Sequence, residues 1–278
     1  MNPTTSAPLA PSPVTPRFDG MKVTQRRVIH SEWTKFRSLR STNITVLVAV
    51  VLTIGLGALI CGVTAAHWPP RDPQEMARFN PIVRSLSGVN IAQLAIGVLG
   101  VLLLSGEYAT GMIRASLTVV PRRLPMLWGK VVVFTVVIGI VSIASTFIAF
   151  FTGQALLASK HIQATISSPH ALRMIIGAAV YMVLVGIIGM ALGGIMRNTA
   201  AGISSLVALL FVIPPLMDLL PTNWSDHIAP YLPSNAGEAF WGNPNGTHLA
   251  PLTGFITICV WTAVILAAAA VRLSRHDA

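Results

Sequence analysis

The chain has 278 residues, of which 53% are hydrophobic and only 10% are charged, and its formal net charge is +10. A soluble globular protein carries roughly 25% charged residues, so this composition excludes an ordinary water-soluble domain and predicts an all-α membrane protein with several spans. In such a protein a positive balance points to charge sorting across a bilayer, and no nucleic-acid partner is expected. Both cysteines lie in apolar runs and are interpreted as small buried side chains, and no metal site is predicted.

The N-terminal region divides into two parts. Met1–Gly20 holds five prolines among Ser, Thr and Ala and is predicted to be a disordered tail. Residues 21–43 are predicted to form an amphipathic helix in the lipid headgroup layer, because Ile29, Trp33 and Phe36 share one helical face. Its polar face carries Arg26, Arg27, Lys35, Arg37 and Arg40. The alternative is a solvated basic helix that leads into the first span.

Six apolar segments follow, each long enough to cross about 30 Å of hydrocarbon. They are Ile44–Ala66, Leu86–Leu104, Val131–Ala158, Met174–Met196, Ala201–Leu220 and Pro251–Val271. Residues 44–271 are therefore predicted to be one six-helix transmembrane domain, followed by a tail at 272–278. In the fourth span the spacing of Gly189 and Gly193 favours close helix approach, either between subunits or within the chain.

The basic residues are distributed unevenly between the connections. Fourteen of the 19 Lys and Arg residues fall on the side that holds both chain ends, and five fall on the other side. Positively charged loops stay in the cytoplasm, so both termini are predicted to be cytoplasmic in a multi-pass protein of the cell membrane.

The stretch after the second span, Ser105–Leu117, contains the most informative charge. Glu107 directly follows an apolar run, and a carboxylate at the end of a span is costly to bury without a partner. We expect it to pair with a basic residue of the N-terminal arm such as Lys35 or Arg37; the alternatives are that it points to water or caps a helix start. A short segment between two spans, with basic residues behind it, is interpreted as a binding site for another protein.

Enzyme signatures are absent from the sequence. There is no GxxxxGK[ST] phosphate loop, no HExxH and no GxSxG motif, so the chain is not expected to be an enzyme. An ion-driven secondary transporter or an intramembrane enzyme would need ionisable groups near the centres of spans, and none lies there. A membrane anchor or sensor that recruits a cytoplasmic protein through its basic arm is a further alternative. The energy source for transport is predicted to lie outside the chain.

Several stretches resemble the permeases of type-2 ATP-binding-cassette (ABC) exporters, in particular actinobacterial members. They are Ser31–Thr42 (SEWTKFRSLRST), Gly106–Arg114 (GEYATGMIR), the Pro121-Arg122-Arg123 block with Lys130, and Tyr231–Gly237 (YLPSNAG). Their order along the chain is similar to that family from Met21 to Arg275. Met112 departs from the pattern, which usually has Thr there.

The resemblance implies a permease that pairs with a second copy or a paralogue and rests on a separate cytoplasmic ABC ATPase, which would bind ATP and Mg while this chain binds no cofactor. It implies export of an apolar, amphipathic or peptide-like substrate and short re-entrant helices before the last span. It also implies a coupling helix around Met112–Val119 that docks on the ATPase. The implied coupling residues are Glu107, Tyr108, Gly111, Met112, Ile113, Arg114 and Leu117. The implied elbow-helix residues are Glu32, Trp33, Lys35, Phe36, Arg37 and Arg40.

Overall fold

The fold was analysed in a computed structural model that describes residues 24–109, 123–217, 219, 221–242 and 249–275. These residues form helices and no strands, as the sequence predicts. The helices are α1 (Gln25–Ser38), α2 (Arg40–Ala66), α3 (Pro73–Arg78), α4 (Pro81–Leu86), α5 (Val89–Ala109), α6 (Arg123–Leu157), α7 (Ala171–Met196), α8 (Thr199–Val207), α9 (Ile213–Met217), α10 (Thr222–Ile228), α11 (Pro233–Trp241) and α12 (Pro251–Arg275). Short 3₁₀ turns follow α6 and α10, and a π-helical turn joins α8 to α9.

Within the described ranges, six helical stretches are long and apolar enough to cross a membrane. They are Arg40–Ala66, Pro81–Ala109, Leu124–Lys160, Ala171–Met196, Thr199–Met217 and Pro251–Arg275. The six predicted spans are therefore confirmed as apolar helices, which supports a multi-pass membrane protein.

Helix α7 lies at the centre of the bundle. In the most apolar 18 residues of α7, 78% of the residues are buried. The corresponding buried share is only 17–22% in α2, in α12 and in the fifth stretch. Helices α5, α6 and α12 pack around it, and α2 packs on α5 and α6. The outer helices keep large apolar side chains on their surfaces, as expected where lipid rather than water is the solvent.

Helices α5 and α7 approach closely because both carry glycine at the contact. A Cβ added to Gly100 would lie 2.0 Å from the carbonyl oxygen of Gly186, and one added to Gly189 would lie 2.1 Å from that of Gly97. Gly193 also faces the α5 backbone. The structure therefore places the predicted Gly189/Gly193 pair in a contact within the chain.

The fifth span is irregular for a reason that the sequence contains. The π-helical turn Ala208–Val212 comes immediately before α9, which contains Pro214 and Pro215. Proline lacks an amide hydrogen and clashes with the carbonyl group four residues earlier. Widening the helix at this turn accommodates both prolines without ending the span.

Two predicted boundaries were wrong at the same end of the bundle. The second span continues to Ala109 rather than ending at Leu104, and the third begins near Arg123 rather than at Val131. Glu107 and Lys130 therefore lie inside helices. The error came from treating each charge as the end of a span, whereas a buried charge can remain inside a helix if it is paired.

Short helices lie toward the opposite end of the bundle, in the segment where the resemblance implies re-entrant helices. Helices α10 and α11 lie between the fifth and sixth stretches, and α11 packs against α12 and α7. At this end Arg173 donates a hydrogen bond to the carbonyl oxygen of Phe240. The two ends are called below the Glu107 end and the α11 end.

Candidate functional site

Helix α1 corresponds to the predicted amphipathic segment, but it is shorter and packs on a different face. It ends at Ser38, and Leu39 is extended (φ −79°, ψ 113°), so α2 begins as a separate helix. Its buried residues are Val28, Glu32 and Phe36, while Trp33 is 45% exposed. The predicted apolar face was therefore wrong. The residues that face the protein are spaced four apart, and the middle one, Glu32, carries a carboxylate.

The contact between α1 and α6 is close. Val28 Cγ1 lies 3.0 Å from where a Cβ would stand on Gly129, so the absence of a side chain there allows the approach. Gln25 Nε2 donates a hydrogen bond of 3.0 Å to the carbonyl oxygen of Pro125. These contacts bring the carboxylate of Glu32 to the start of α6.

Four charged side chains meet where α1, α5 and α6 converge. Lys130 Nζ donates to Glu32 Oε2 at 2.6 Å and to Glu107 Oε1 at 2.7 Å. Lys35 Nζ donates to Glu32 Oε1 at 2.9 Å and to Glu107 Oε1 at 3.2 Å. We call Glu32, Lys35, Glu107 and Lys130 the ion network. It connects the N-terminal helix to the end of the second span and the beginning of the third.

The ion network is largely withdrawn from solvent. Glu32 is 5% exposed, Glu107 6% and Lys130 7%, whereas the Lys35 side chain keeps 31% of its surface. Its formal charges sum to zero, so the three buried ions are compensated. Lys35, the most accessible member, is the one that could exchange partners with water.

Glu107 uses only one of its two oxygens in these contacts. Oε1 accepts from both lysines, while Oε2 is buried and no described residue donates a hydrogen bond to it. A buried polar atom without a partner costs about 1–3 kcal/mol. The packing of α1 and α6 around the carboxylate therefore leaves one oxygen that is closed to solvent and that no described residue satisfies.

Two opposing effects act on the pKa of Lys35. Burial alone would lower it, but the hydrogen bond that Lys35 donates to Glu32 and the charges of Glu107 and Glu32 outweigh burial, and the pKa rises above its ordinary value of 10.5. Lys35 therefore remains charged throughout the neutral and mildly alkaline range.

Further contacts join the end of α5 to the turn between the fourth and fifth spans. The Ser105 and Thr199 hydroxyl oxygens are 2.9 Å apart, and the Arg197 guanidinium lies 5.4 Å from the centre of the Tyr108 ring. Arg197 adopts the left-handed conformation (φ 53°) that ends α7. Tyr108, a predicted coupling residue, is thereby connected to the central helix.

The predicted site residues do not all come together. Trp33, Arg37 and Arg40 are exposed on α1 and α2 and take no part in the ion network. The remaining predicted coupling residues lie outside the described residues: Gly111, Met112, Ile113, Arg114 and Leu117.

Sequence reasoning named Lys35 as a partner of Glu107 but missed Lys130. The available signal was the apolar run Leu124–Trp128 that precedes Lys130. That run indicates that the lysine lies within a span and needs an acidic partner.

No group of three metal-ligating side chains occurs in the part of the chain that the structure describes. Comparison of the chain with known family models and with curated proteins finds no match. The arrangement at the Glu107 end therefore has to be interpreted from its own geometry, which joins three helices through ion pairs.

Proposed function

We propose that this chain is the membrane subunit of an exporter of the ABC type, driven by a separate cytoplasmic ATPase. Its substrate would be apolar, amphipathic or peptide-like, and its partners would be that ATPase and a second copy or paralogue in the cell membrane. The resemblance in sequence motivates the proposal, and the ion network is the observation that carries it.

The ion network supports the proposal because of where it lies along the chain. Residues 110–122 lie outside the described residues, and the network holds α5 just before them and α6 just after them. It also holds α1, through Glu32 and Lys35. A displacement applied at residues 110–122 would therefore act on three helices together. Movement of packed helices as rigid elements is a known way to switch between two states.

The distribution of charge supports an external source of energy. In the described spans the charged residues lie toward the helix ends, and a polar pair deeper in the bundle, Gln93 and Tyr181, is neutral. A transporter driven by ions would use ionisable groups near the membrane centre. This distribution favours a motor outside the membrane over a proton or sodium cycle.

The direct test is co-purification of the chain with a protein that carries a phosphate loop, identified by mass spectrometry or from the neighbouring gene. Replacing residues 112–119 by a Gly/Ser sequence of equal length should abolish that association. The matched control is an equal replacement of residues 243–248, which precede α12 and should leave association unchanged.

Two results for ATPase association would contradict the proposal. Retention of the ATPase by the variant at 112–119, together with unchanged ATP hydrolysis, would exclude this segment as the docking site. Failure of the wild-type chain to associate with any ATPase would favour a membrane anchor or sensor instead.

A further inference from the structure

A groove of about 710 Å³ lies beside the last turns of α2, under the connection that leads to α4. Because α2 begins next to the ion network, this groove is at the α11 end. On the helix side it is lined by Leu59, Val63 and His67, which are spaced four apart and follow one face of α2. Leu59 is 61% exposed and Val63 is 53% exposed, so this wall is accessible.

The connection supplies the opposite wall of the groove. Trp68 and Phe79 lie near its two ends, and their ring centres are 4.6 Å apart. Both rings line the groove, together with Pro69 and Pro70. The ring contact holds the connection folded over the end of α2. The exposed face of the helix therefore becomes one side of a crevice, whereas the rest of that face is an open surface.

The groove crosses the level at which the first span leaves the hydrocarbon. The apolar run ends at Ala66, and polar residues begin at His67. Leu59 lies eight residues before His67, which is about 12 Å of helix. The hydrogen-bonding groups of Thr64 and His67 are used on carbonyl oxygens of α2 itself. One end of the groove is therefore apolar, and the other is at headgroup depth, where tryptophan is a typical residue.

Arg71, Glu75 and Arg84 line the headgroup end of the groove. Arg84 Nη2 lies 3.1 Å from Glu75 Oε1, so these two charges compensate each other. Arg71 is exposed and forms no ion pair with any described residue. Asp72 follows it in the chain, but that carboxylate accepts a hydrogen bond from the backbone of Gln74 and does not line the groove. Arg71 is therefore the cation that remains for a ligand.

We propose that this groove binds a phospholipid with an anionic headgroup, such as phosphatidylglycerol, from the membrane leaflet at the α11 end. Arg71 donates to the phosphate, and one acyl chain lies along Leu59 and Val63. Arginine suits this role because its planar guanidinium can donate two parallel hydrogen bonds to phosphate oxygens. A zwitterionic headgroup would bring another cation close to Arg71 and Arg84, so it binds less tightly.

The size of the groove agrees with such a ligand. Pockets for small molecules span about 300–1,000 Å³, so the groove has room for a headgroup and part of one chain. It is partly open, and the remainder of the lipid would stay in the bilayer. This binding requires no ATPase and no cargo, so it is independent of the proposed transport function.

The test compares two lipids that differ only in the headgroup. The purified chain is reconstituted in nanodiscs of phosphatidylcholine with a trace of phosphatidylglycerol or phosphatidylcholine that carries the same photoactivatable acyl chain. Crosslinked peptides are identified by mass spectrometry after illumination. We expect phosphatidylglycerol to label residues 59–79 about fivefold more strongly, the value of one basic residue at an anionic surface. Equal labelling of this segment by the two lipids would overturn the proposal.

Two pairs of variants locate the site. Arg71→Gln should remove the preference, whereas Arg78→Gln removes the same charge from an exposed position of the same connection that does not line the groove, and should keep it. Val63→Trp should fill the groove and lower labelling by phosphatidylglycerol while leaving Arg71 in place. Val48→Trp, at an exposed position nearer the start of α2, is its control. Equal effects within either pair would contradict the assignment.

A last measurement separates a lipid from a soluble anion. Excess inorganic phosphate should leave labelling by phosphatidylglycerol unchanged, because it offers no chain to the apolar wall of the groove. Loss of labelling would identify a site for soluble anions and would contradict lipid binding. Since no ATPase is present in the nanodiscs, neither result bears on ATPase docking.

Discussion

Among the residues at the Glu107 end, we expect substitution of Lys130 to be the most destabilising. It is 7% exposed and is the common donor to Glu32 and Glu107, which approach it from two different helices. Without it, two buried carboxylates would face each other with only the partly exposed Lys35 between them. Breaking a buried ion pair costs far more than the pair contributes in net stability, because the remaining charge has no compensation.

Replacing Lys130 by Met should therefore destabilise the protein by about 3–5 kcal/mol. The measurement is thermal unfolding of the detergent-solubilised chain, followed by tryptophan fluorescence. Lys160→Met removes a lysine from an exposed position at the α11 end and should leave the unfolding temperature unchanged. Equal effects of the two substitutions would show that the network does not carry this stability.

Exchange of charges offers a second check on the same pair. Glu107→Lys alone places three cations around one carboxylate and should be strongly destabilising. Combining it with Lys130→Glu restores a neutral network and should recover part of the loss. Additive effects would contradict a direct interaction between the two positions, because contacting residues couple by about 0.5–3 kcal/mol.

The raised pKa of Lys35 predicts a dependence of stability on pH. A lysine whose folded pKa exceeds its unfolded value contributes stability below the unfolded value, 10.5, and loses that contribution as pH rises through the folded pKa. Unfolding temperatures of wild type and Lys35→Arg should therefore run parallel through neutral pH and diverge above about pH 10.5, where arginine keeps its charge. Parallel curves up to pH 12 would contradict the assignment.

At the scale of single residues, sequence reasoning reached half of the network. Glu107 was identifiable because a carboxylate beside an apolar run needs a partner, and Lys35 lies on the nearby basic helix. Glu32 was named only as an elbow-helix residue, and Lys130 was placed in the connection before the third span rather than inside it. Whether a charge near the end of a span is solvated or buried depends on which helix packs over it, and that is a tertiary contact that the local pattern does not contain.

At the scale of helices, the contact between α5 and α7 sets the arrangement of the bundle. Alanine at Gly100 would place its Cβ 2.0 Å from the carbonyl oxygen of Gly186, so the two backbones would have to separate. Gly100→Ala should lower the free energy of unfolding by roughly 1–3 kcal/mol, the range for overpacking. Gly106→Ala, on the same helix, adds a Cβ that would meet nothing within 4 Å, and it should be neutral or slightly stabilising. Similar effects at both positions would contradict this packing.

Docking of α1 on α6 can be measured by cysteine crosslinking. In a background with Cys61 and Cys259 replaced by alanine, Val28→Cys combined with Gly129→Cys should form a disulfide under mild oxidation, since the side chain of Val28 reaches the Cβ position at Gly129. Trp33→Cys with Gly129→Cys is the control and should stay reduced, because Trp33 lies on the exposed face. A crosslink in the control pair alone would mean that α1 packs on the face first predicted from the sequence.

The helices themselves were predictable because a span needs about 20 apolar residues, and six such runs stand out from the sequence. Their ends were less predictable. Leu124–Trp128 is apolar but is separated from the main run by Gly129 and Lys130, and the structure shows one continuous helix in which Lys130 is buried and paired. Pro214 and Pro215 indicate an irregularity in the fifth span, but not that it takes the form of a π-helical turn in a continuous span.

For the whole molecule, orientation in the membrane remains a prediction from charge. Single cysteines at Ser38 and Ser167, exposed at opposite ends, test it in the background without Cys61 and Cys259. A membrane-impermeant maleimide added to intact cells should label the cysteine at 167 and not the one at 38. The reverse pattern would place both termini outside and would remove residues 110–122 from reach of a cytoplasmic ATPase.

Substrate and partner are the parts that neither composition nor helix packing specifies, because apolar spans look alike whatever they carry. The proposed function depends instead on residues 110–122 and on the ion network, whose members lie on the helices before and after that segment. The most direct measurement is site-specific photocrosslinking from Ile113 in the intact complex, with Ser167 as the control position at the opposite end. The account predicts a crosslink from residue 113 to a protein that contains a phosphate loop and none from residue 167; absence of that crosslink in a complex that still hydrolyses ATP would contradict it.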